Sequence, residues 1–330
     1  MKLIPAGMGQ ETAVVLGLAF AATLGAMDVA AQAYPNRPIR MVVPQSAGGS
    51  TDLIARAVTQ RMSDVLGQSV VVDNRPGAGS INGTDMVAKA SPDGYTLLSV
   101  AGSFTINPAL RKQLPFDPIR DFEAITLVAT LPHIVIIHPS VPAKSIGDLI
   151  ALAKARPGDI NYATSGVATS THMAAELFMH LTGTKMTHIP YKGGAPSIVA
   201  MLAGQCQVNF AAISTAIPHV RSGKVRALAV SSAKRSAAAP EFPTIAEAGV
   251  RGYEHTSWVG FLAPAKTPRP VIARLSSEAV KAVNAQDIKA MLLRDGLESA
   301  GTTPAEFAAD IKAQIARWKS VVKAAGMELQ

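Results

Sequence analysis

Short apolar runs alternate with amphipathic segments along the chain. The first apolar run, Ile39–Val43, ends at Pro44 and predicts a β-strand. Apolar residues then recur at helical spacing from Ile54 to Val65, with charged and polar residues between them, which predicts an amphipathic helix that ends at Gly67. A loop rich in glycine and hydroxyl side chains separates the two, so the pattern begins with a strand–loop–helix unit.

The same alternation continues towards the C-terminus. Further strands are predicted at residues 70–72, 95–100, 133–138, 159–163, 187–191, 208–213, 225–230 and 258–263. Further helices are predicted at residues 81–89, 146–155, 171–181, 196–202 and 218–222, and several more after residue 270. Strands that alternate with helices are typical of an α/β fold with a mainly parallel sheet.

Glycine, serine and threonine return in a second loop, residues 164–170, which again lies between a predicted strand and a predicted helix. This repetition in a different half of the chain predicts two α/β lobes. We place the first lobe at residues 34–135 and 256–330, and the second at residues 136–255. The chain then crosses between the lobes twice, near His138 and near His255.

Residues 1–33 have the features of a secretory signal peptide. Residues 12–26 carry no charge and are too few to span a bilayer comfortably, and Ala31-Gln32-Ala33 matches an A-x-A cleavage pattern. We therefore predict cleavage between Ala33 and Tyr34 and export of the mature protein, for which the family resemblance described below implies a periplasmic location. A buried N-terminal helix is the alternative interpretation.

Composition and charge narrow the classes of partner. The chain carries 31 Lys and Arg against 23 Asp and Glu, for a net charge of +8. Because the basic residues are dispersed and the protein is predicted to be exported, we expect no nucleic-acid partner. The charge favours attraction of small anionic ligands, or serves solubility alone. With the single cysteine Cys206 and no His/Cys cluster, neither an internal disulfide nor a metal site is expected, and no cofactor is predicted.

The two glycine- and hydroxyl-rich loops are the candidate binding elements. A helix N-terminus leaves backbone N–H groups without partners and carries a partial positive charge, and glycine allows a ligand to approach the backbone. Each loop therefore offers an anion site, and two facing loops can hold a carboxylate from both sides. Ser50 or Thr51 is predicted to cap the first helix, because a helix N-terminus favours hydroxyl side chains.

Motifs for other functions are weak. Gly77–Gly83 nearly matches the dinucleotide-binding motif G-x-G-x-x-G, but its third glycine falls one place late. The sequence contains neither the G-x-x-x-x-G-K-[ST] phosphate loop of nucleotide-binding proteins nor the G-x-S-x-G nucleophile elbow of hydrolases. A secreted hydrolase with Ser165 as nucleophile and His172 as its base is the alternative, but the sequence indicates no carboxylate that would orient the histidine. His172 is therefore expected to cap the helix, to contact the ligand or to pack.

Several long motifs resemble the Bug family of extracytoplasmic solute-binding receptors of tripartite tricarboxylate transporters. They include YPNRPIRMVVPQSAGGSTDLIARAV, GQSVVVDNRPGAGSINGTDMVAKASPDGYTLL, NYATSGVATSTHMAAELF and IPYKGGAPSIVAMLAGQ, and the match covers essentially the whole mature chain. The resemblance implies a two-lobe, type II-like periplasmic binding protein fold with a hinge. It implies a receptor, not an enzyme, that binds a small carboxylate in the cleft between closing lobes.

The resemblance also implies three contact regions in the cleft, the first two of which are the loops described above. The residues expected there are Gln45, Ser46, Ala47, Gly48, Gly49, Ser50 and Thr51 in the first region, Thr164, Ser165, Thr169 and His172 in the second, and Ala212 and Thr215 in the third.

This chain departs from the family pattern at three positions. Gln45 replaces an apolar aromatic residue, Ala47 replaces a proline, and Ala211 stands where the family often has an acidic residue. These differences favour a carboxylate with a polar substituent over an amino acid. The receptor is expected to be a monomer that delivers its ligand to membrane permease subunits, or alternatively presents its closed form to a membrane sensor.

Overall fold

The computed structural model describes residues 34–324 and residue 326. The predicted signal peptide, residues 1–33, lies outside this part of the chain. Among the residues described, no helix is long and apolar enough to cross a membrane.

Ten strands and ten α-helices form in the described residues. The strands are β1 (Ile39–Val43), β2 (Val70–Asn74), β3 (Thr96–Ala101), β4 (Phe122–Ile137), β5 (Asn161–Thr164), β6 (Thr187–Pro190), β7 (Val208–Ala212), β8 (Arg226–Val230), β9 (Thr256–Pro264) and β10 (Glu298–Ser299). The helices are α1 (Ser50–Leu66), α2 (Ile81–Ala88), α3 (Ser103–Leu110), α4 (Ile146–Ala155), α5 (Ser170–Thr182), α6 (Gly194–Leu202), α7 (Ile213–Arg221), α8 (Arg269–Asn284), α9 (Gln286–Arg294) and α10 (Pro304–Ala324).

The strands form one mixed sheet in the order β2-β1-β3-β9-β4-β7-β5-β6, with β8 and β10 also paired to β4. Pairs β1–β2, β1–β3, β5–β6 and β5–β7 are parallel. Every pair that includes β4 or β9 is antiparallel. The mainly parallel sheet expected from the alternation of elements was therefore wrong for the centre of the sheet, where β9 returns beside β3.

Strand β4 divides the sheet into two halves. Its residues from Phe122 to Pro132 pair with β9, and those from His133 to Ile137 pair with β7 and β8. We call the part on one side of this switch the first half-sheet (β1, β2, β3, β9, β10 and the start of β4). The other part is the second half-sheet (β5, β6, β7, β8 and the end of β4).

Apolar side chains pack on both faces of each half-sheet. In the first, α1 and α8 bury residues such as Ile54 and Leu275 against one face, while Phe104 and Phe307 pack on the other. Helix α10 belongs to both halves: Phe307, Ile311 and Ile315 pack with the first, and Trp318, Val321 and Val322 pack with the second. Helix α10 thus packs across the junction between the two half-sheets.

Ser231 joins the two chain segments that pass between the halves. Its N–H donates to the His133 carbonyl (2.8 Å), and its hydroxyl donates to the His255 carbonyl (2.6 Å). The same hydroxyl accepts from the His133 N–H (2.9 Å), and the Ser231 carbonyl accepts from the His255 N–H (2.8 Å). Because Ser231 is fully buried, water cannot replace these bonds.

We predict that Ser231→Ala lowers the free energy of unfolding by about 1–3 kcal/mol, since it leaves the buried His133 N–H and His255 carbonyl each short of a partner. Urea denaturation measures this. Ser232→Ala is the matched control, since the neighbouring Ser232 is half-buried and its hydroxyl makes only a solvent-exposed bond to the Lys234 carbonyl, and it is expected to change stability by less than about 0.5 kcal/mol. Equal stability of the two variants would contradict the role given to Ser231.

Candidate ligand-binding site

The first loop exposes the N-terminus of α1. Gly49 is the N-cap residue in an extended conformation, and no side chain caps the helix. The first intrahelical bond runs from the Leu53 N–H to the Gly49 carbonyl (3.0 Å), so the N–H groups of residues 50–52 have no acceptor within the helix. The predicted cap by Ser50 or Thr51 was wrong, because both residues lie inside the helix. The uncapped end is left available to an anion.

Asp52 holds this loop from behind. Its buried carboxylate accepts from the Gly48 N–H (2.9 Å), Arg56 Nε (3.1 Å) and Asn74 Nδ2 (3.0 Å). Asn74 Nδ2 also donates to the Gln45 carbonyl (3.1 Å). Burial by itself raises the pKa of Asp52, but the hydrogen bonds from Arg56, Gly48 and Asn74 outweigh it, so the pKa lies below its ordinary value. The carboxylate fixes the loop and leaves residues 46–50 exposed.

The second loop exposes α5 in a similar way. Thr169 is its extended N-cap, and the Thr169 hydroxyl accepts from the His172 N–H (3.4 Å) and donates to the Gly166 carbonyl (2.7 Å). Ser165 is half-buried, and its N–H donates to Thr171 Oγ1 (3.0 Å). Gly166 has φ of 138°, a conformation that favours glycine and lets the chain turn into the helix. The N–H groups of residues 170 and 171 remain without an acceptor in the helix.

His172 lies behind the second loop and does not face solvent. It is 6% exposed, its Nδ1 accepts from the Ala168 N–H (3.2 Å), and its Nε2 lies 3.4 Å from Glu176 Oε1. Both ring nitrogens are thus engaged, which assigns the proton to Nε2. Of the three roles considered for His172, the structure favours packing beneath the loop over contact with a ligand.

Further polar side chains pack beneath the second loop beside His172. The ring of His188 stacks on that of His172 with 4.0 Å between centroids, and His188 Nε2 lies 2.6 Å from Thr164 Oγ1. Burial and the neighbouring His172 lower the pKa of His188 to about 4. Tyr162 donates to Glu176 Oε1 (2.6 Å). Thr164 is fully buried, so it shapes the second loop from below.

The third predicted region lies at the start of α7. Thr215 donates to the carbonyl of Ala212, the N-cap residue (2.9 Å), and both residues are half-buried. Ala211 is 3% exposed and packs in a core cluster with Ile134. Because Ala211 lies in the core, its methyl group gives no basis for excluding an ammonium group from the ligand. The preference against amino acids inferred from this position was therefore unsupported.

The structure adds a hydroxyl-rich area that sequence reasoning missed. A Cβ atom on Gly102 would lie 3.3 Å from Ser257 Oγ and 4.0 Å from Ser170 Oγ, so the start of α3 faces the start of α5 closely. Ser103 Oγ lies 3.5 Å from Ser80 Oγ. The two half-sheets therefore approach each other closely at the small residues Gly102, Ser170 and Ser257.

The segment before α2 has an unusual backbone. Ala78 and Ser80 have φ of 47° and 80°, in the left-handed region that non-glycine residues rarely adopt. Asn107 Nδ2 holds the segment by donating to the Gly79 carbonyl (2.9 Å). The signal for it was the glycine-rich motif at residues 77–83, which the sequence analysis assigned to no contact region.

A cavity of about 310 Å³ lies beside the two chain crossings, and none of the predicted site residues lines it, although His255 in its wall contacts Ser170 at the start of α5. Its wall holds two cationic side chains, Lys234 and Arg317, and three acidic ones, Glu254, Glu298 and Asp310. This charge balance is unsuited to a carboxylate. No group of three or more His, Cys, Asp or Glu residues is placed to hold a metal ion in the described part of the chain.

Known proteins similar to this chain agree on its class. The model of the tripartite tricarboxylate transporter family receptor, TctC, matches residues 54–327. Protein BugT of Bordetella pertussis (strain Tohama I) is 36% identical over 319 residues, which cover 96% of this chain and 98% of BugT. The chain belongs to this receptor family, as its motifs indicated.

Two solved structures are similar over nearly their whole length. R. palustris Rpa4515 with adipate is 34% identical, with a TM-score of 0.80, and the match covers 89% of this chain and 98% of that one. MatC (Rpa3494) from Rhodopseudomonas palustris with bound malate is 30% identical, with a TM-score of 0.77, and the match covers 88% and 100%. The predicted α/β periplasmic binding protein fold is confirmed, and the chain is a solute-binding receptor, not an enzyme.

We predict that Asp52→Asn lowers the free energy of unfolding at pH 7 by about 1–3 kcal/mol, because an amide cannot replace all three hydrogen bonds of the carboxylate. The folded pKa is lowered, so the stabilisation is complete above the ordinary Asp pKa of about 4 and is lost as the pH falls through the lower folded value. Urea denaturation at pH 7 and at successively lower pH should show the gap to wild type closing.

Asp64→Asn, at an exposed position on the same helix, is the control and should stay close to wild type throughout. A gap for Asp52→Asn that persists unchanged at low pH would refute the role given to the ionised Asp52.

Proposed function

We propose that the protein is a periplasmic receptor that binds a small carboxylate between the N-termini of α1 and α5. The observation that carries this proposal is that both helices begin at extended N-cap residues in exposed or half-buried loops, and each leaves backbone N–H groups without an acceptor in the helix. One helix comes from each half-sheet, so a bound anion would bridge the two.

The relatives support the class of ligand. Rpa4515 is described with adipate and MatC with malate, and both of these ligands are dicarboxylates. A dicarboxylate suits two helix N-termini, because each carboxylate gains from aligned N–H groups and the positive end of a helix dipole.

We assign direct ligand contact to the accessible residues of the three regions. These are Gln45, Ser46, Ala47, Gly48, Gly49, Ser50, Ser165, Thr169, Ala212 and Thr215. Thr51, Thr164 and His172 are buried, so we assign the backbone N–H of Thr51 to the ligand and give the side chains of Thr164 and His172 a supporting role. A half-buried amide at Gln45 would suit a ligand with a polar substituent.

The proposals for export, closure and delivery of the ligand rest on membership of the receptor family. We propose that residues 1–33 direct export and are removed, and that residues 34–135 with 256–330 and residues 136–255 act as lobes that close on the ligand. Closure would be a population shift, driven by tighter binding of the ligand to the closed state. The closed monomer would then deliver its ligand to the membrane permease subunits of a tripartite tricarboxylate transporter.

Substitution by proline tests the backbone donors directly. Proline at the first position of a helix removes one N–H and is otherwise tolerated when the preceding residue is extended. Gly49 meets this condition with φ of −78° and ψ of 164°. We predict that Ser50→Pro weakens carboxylate binding about tenfold or more, whereas Ser50→Ala, which keeps the N–H, weakens it less.

The measurement starts with thermal shifts on a panel of small carboxylates that includes adipate and malate, because a ligand of the native state raises the apparent stability. Calorimetric titration of the variants with the strongest binder follows. Gln286→Pro is the matched control, since it lies at the start of α9 after Ala285, which is also extended, with φ of −61° and ψ of 141°. Failure of every carboxylate to bind, or full affinity in Ser50→Pro, would disprove the proposal.

A further inference from the structure

We propose that His255 is a positioning residue that fixes the first turn of α5 to the chain crossing, and so couples the second half of the binding site to the hinge. The proposal rests on the proposed function in two respects, that the N-terminus of α5 faces the ligand and that the lobes close about the chain crossings. His255 was not among the residues expected in the site.

His255 contacts α5 through a single ring nitrogen. Its Nε2 lies 2.7 Å from Ser170 Oγ and 3.0 Å from the Ser170 carbonyl oxygen. A carbonyl can only accept a hydrogen bond, so the geometry fits a neutral imidazole that carries its proton on Nε2. Ser170 is the first residue of α5, and its backbone N–H is one of the donors assigned to the ligand.

His255 itself is held firmly on the chain crossing. It is 4% exposed, directly precedes β9, and is bonded through its backbone N–H and carbonyl to Ser231. Its ring stacks on His133 with 5.3 Å between centroids and 4° between planes, and it meets the edge of Trp318 at 5.1 Å. His133 lies on the other chain crossing, so the His255 ring is packed between the two crossings and helix α10.

Neighbouring groups reinforce the same connection. Tyr253, two residues before His255, donates its hydroxyl to the Ala174 carbonyl one turn further along α5 (3.0 Å). Arg317 donates to the Glu254 carbonyl, which ties the crossing to α10. Three consecutive residues of the crossing thus hold α5 and α10. A ligand that pulls on the start of α5 therefore acts on the crossing through Ser170 and His255.

A purely structural role for His255 makes a different prediction. If the ring only fills space between His133 and Trp318, His255→Phe should be tolerated and His255→Gln should not. If Nε2 positions α5, His255→Phe should release the helix, whereas the amide of His255→Gln can restore a donor to Ser170. The two variants therefore separate packing from positioning.

Amide hydrogen exchange in the ligand-free protein tests the positioning directly. The His172 and Met173 N–H groups donate to Thr169, so they report on the first turn of α5. We expect exchange at these two amides to rise about tenfold in His255→Phe, to stay within about twofold of wild type in His255→Gln, and to rise by a smaller factor in Ser170→Ala. His180→Phe, on the exposed last turn of α5, should leave them unchanged.

Titration with adipate or malate tests the coupling. His255→Phe should bind about five- to tenfold more weakly than wild type, and adding Ser170→Ala to it should cause little further loss. Unchanged exchange or unchanged affinity in His255→Phe overturns the proposal, as does a result in which His255→Gln is the more damaged variant. If wild type binds neither ligand, the proposed function fails for these compounds, while the exchange measurement still decides whether His255 positions α5.

Discussion

An α-helix cannot satisfy its own first backbone N–H groups, and the binding site proposed for this receptor depends on that constraint. A side-chain cap is one way to resolve it, as Ser145 does by accepting from the Asp148 N–H at the start of α4. At α1 no side chain caps the helix, and Asp52 instead secures the preceding Gly48 N–H. The N–H groups nearest the loop are therefore left without an acceptor in the helix, and the proposed ligand would meet them in a conformation that is fixed before binding.

The two helices that offer these donors are supported differently. Helix α1 is packed against the first half-sheet, and its loop is fixed by the carboxylate of Asp52. Helix α5 is held from below by the contacts of its own His172 with His188 and of its own Glu176 with Tyr162, and from the side by His255. Ser231 also hydrogen-bonds to the backbone of His255 on this crossing. The position of α5 is therefore linked to the chain crossings between the half-sheets.

Sequence periodicity predicted β1, α1, β5 and α5 closely, because their apolar spacing is regular and glycines or hydroxyl residues mark their boundaries. It missed α3, whose sequence SFTINPAL contains Pro108, and the first part of β4, where polar residues interrupt the apolar run. It located both loops between a strand and a helix, but it did not show which of their side chains are buried. The burial of His172 and Ala211 is set by tertiary packing, and the contacts of His255 with Ser170 join residues 85 positions apart.

The most direct test is a crystal structure of the protein with a bound dicarboxylate such as adipate. We expect one carboxylate to accept hydrogen bonds from the N–H groups of Ser50 and Thr51, and the ligand to reach those of Ser170 and Thr171 across the cleft. A dicarboxylate that instead occupies the cavity lined by Trp258 and Trp318, with both helix N-termini left free, would contradict the account.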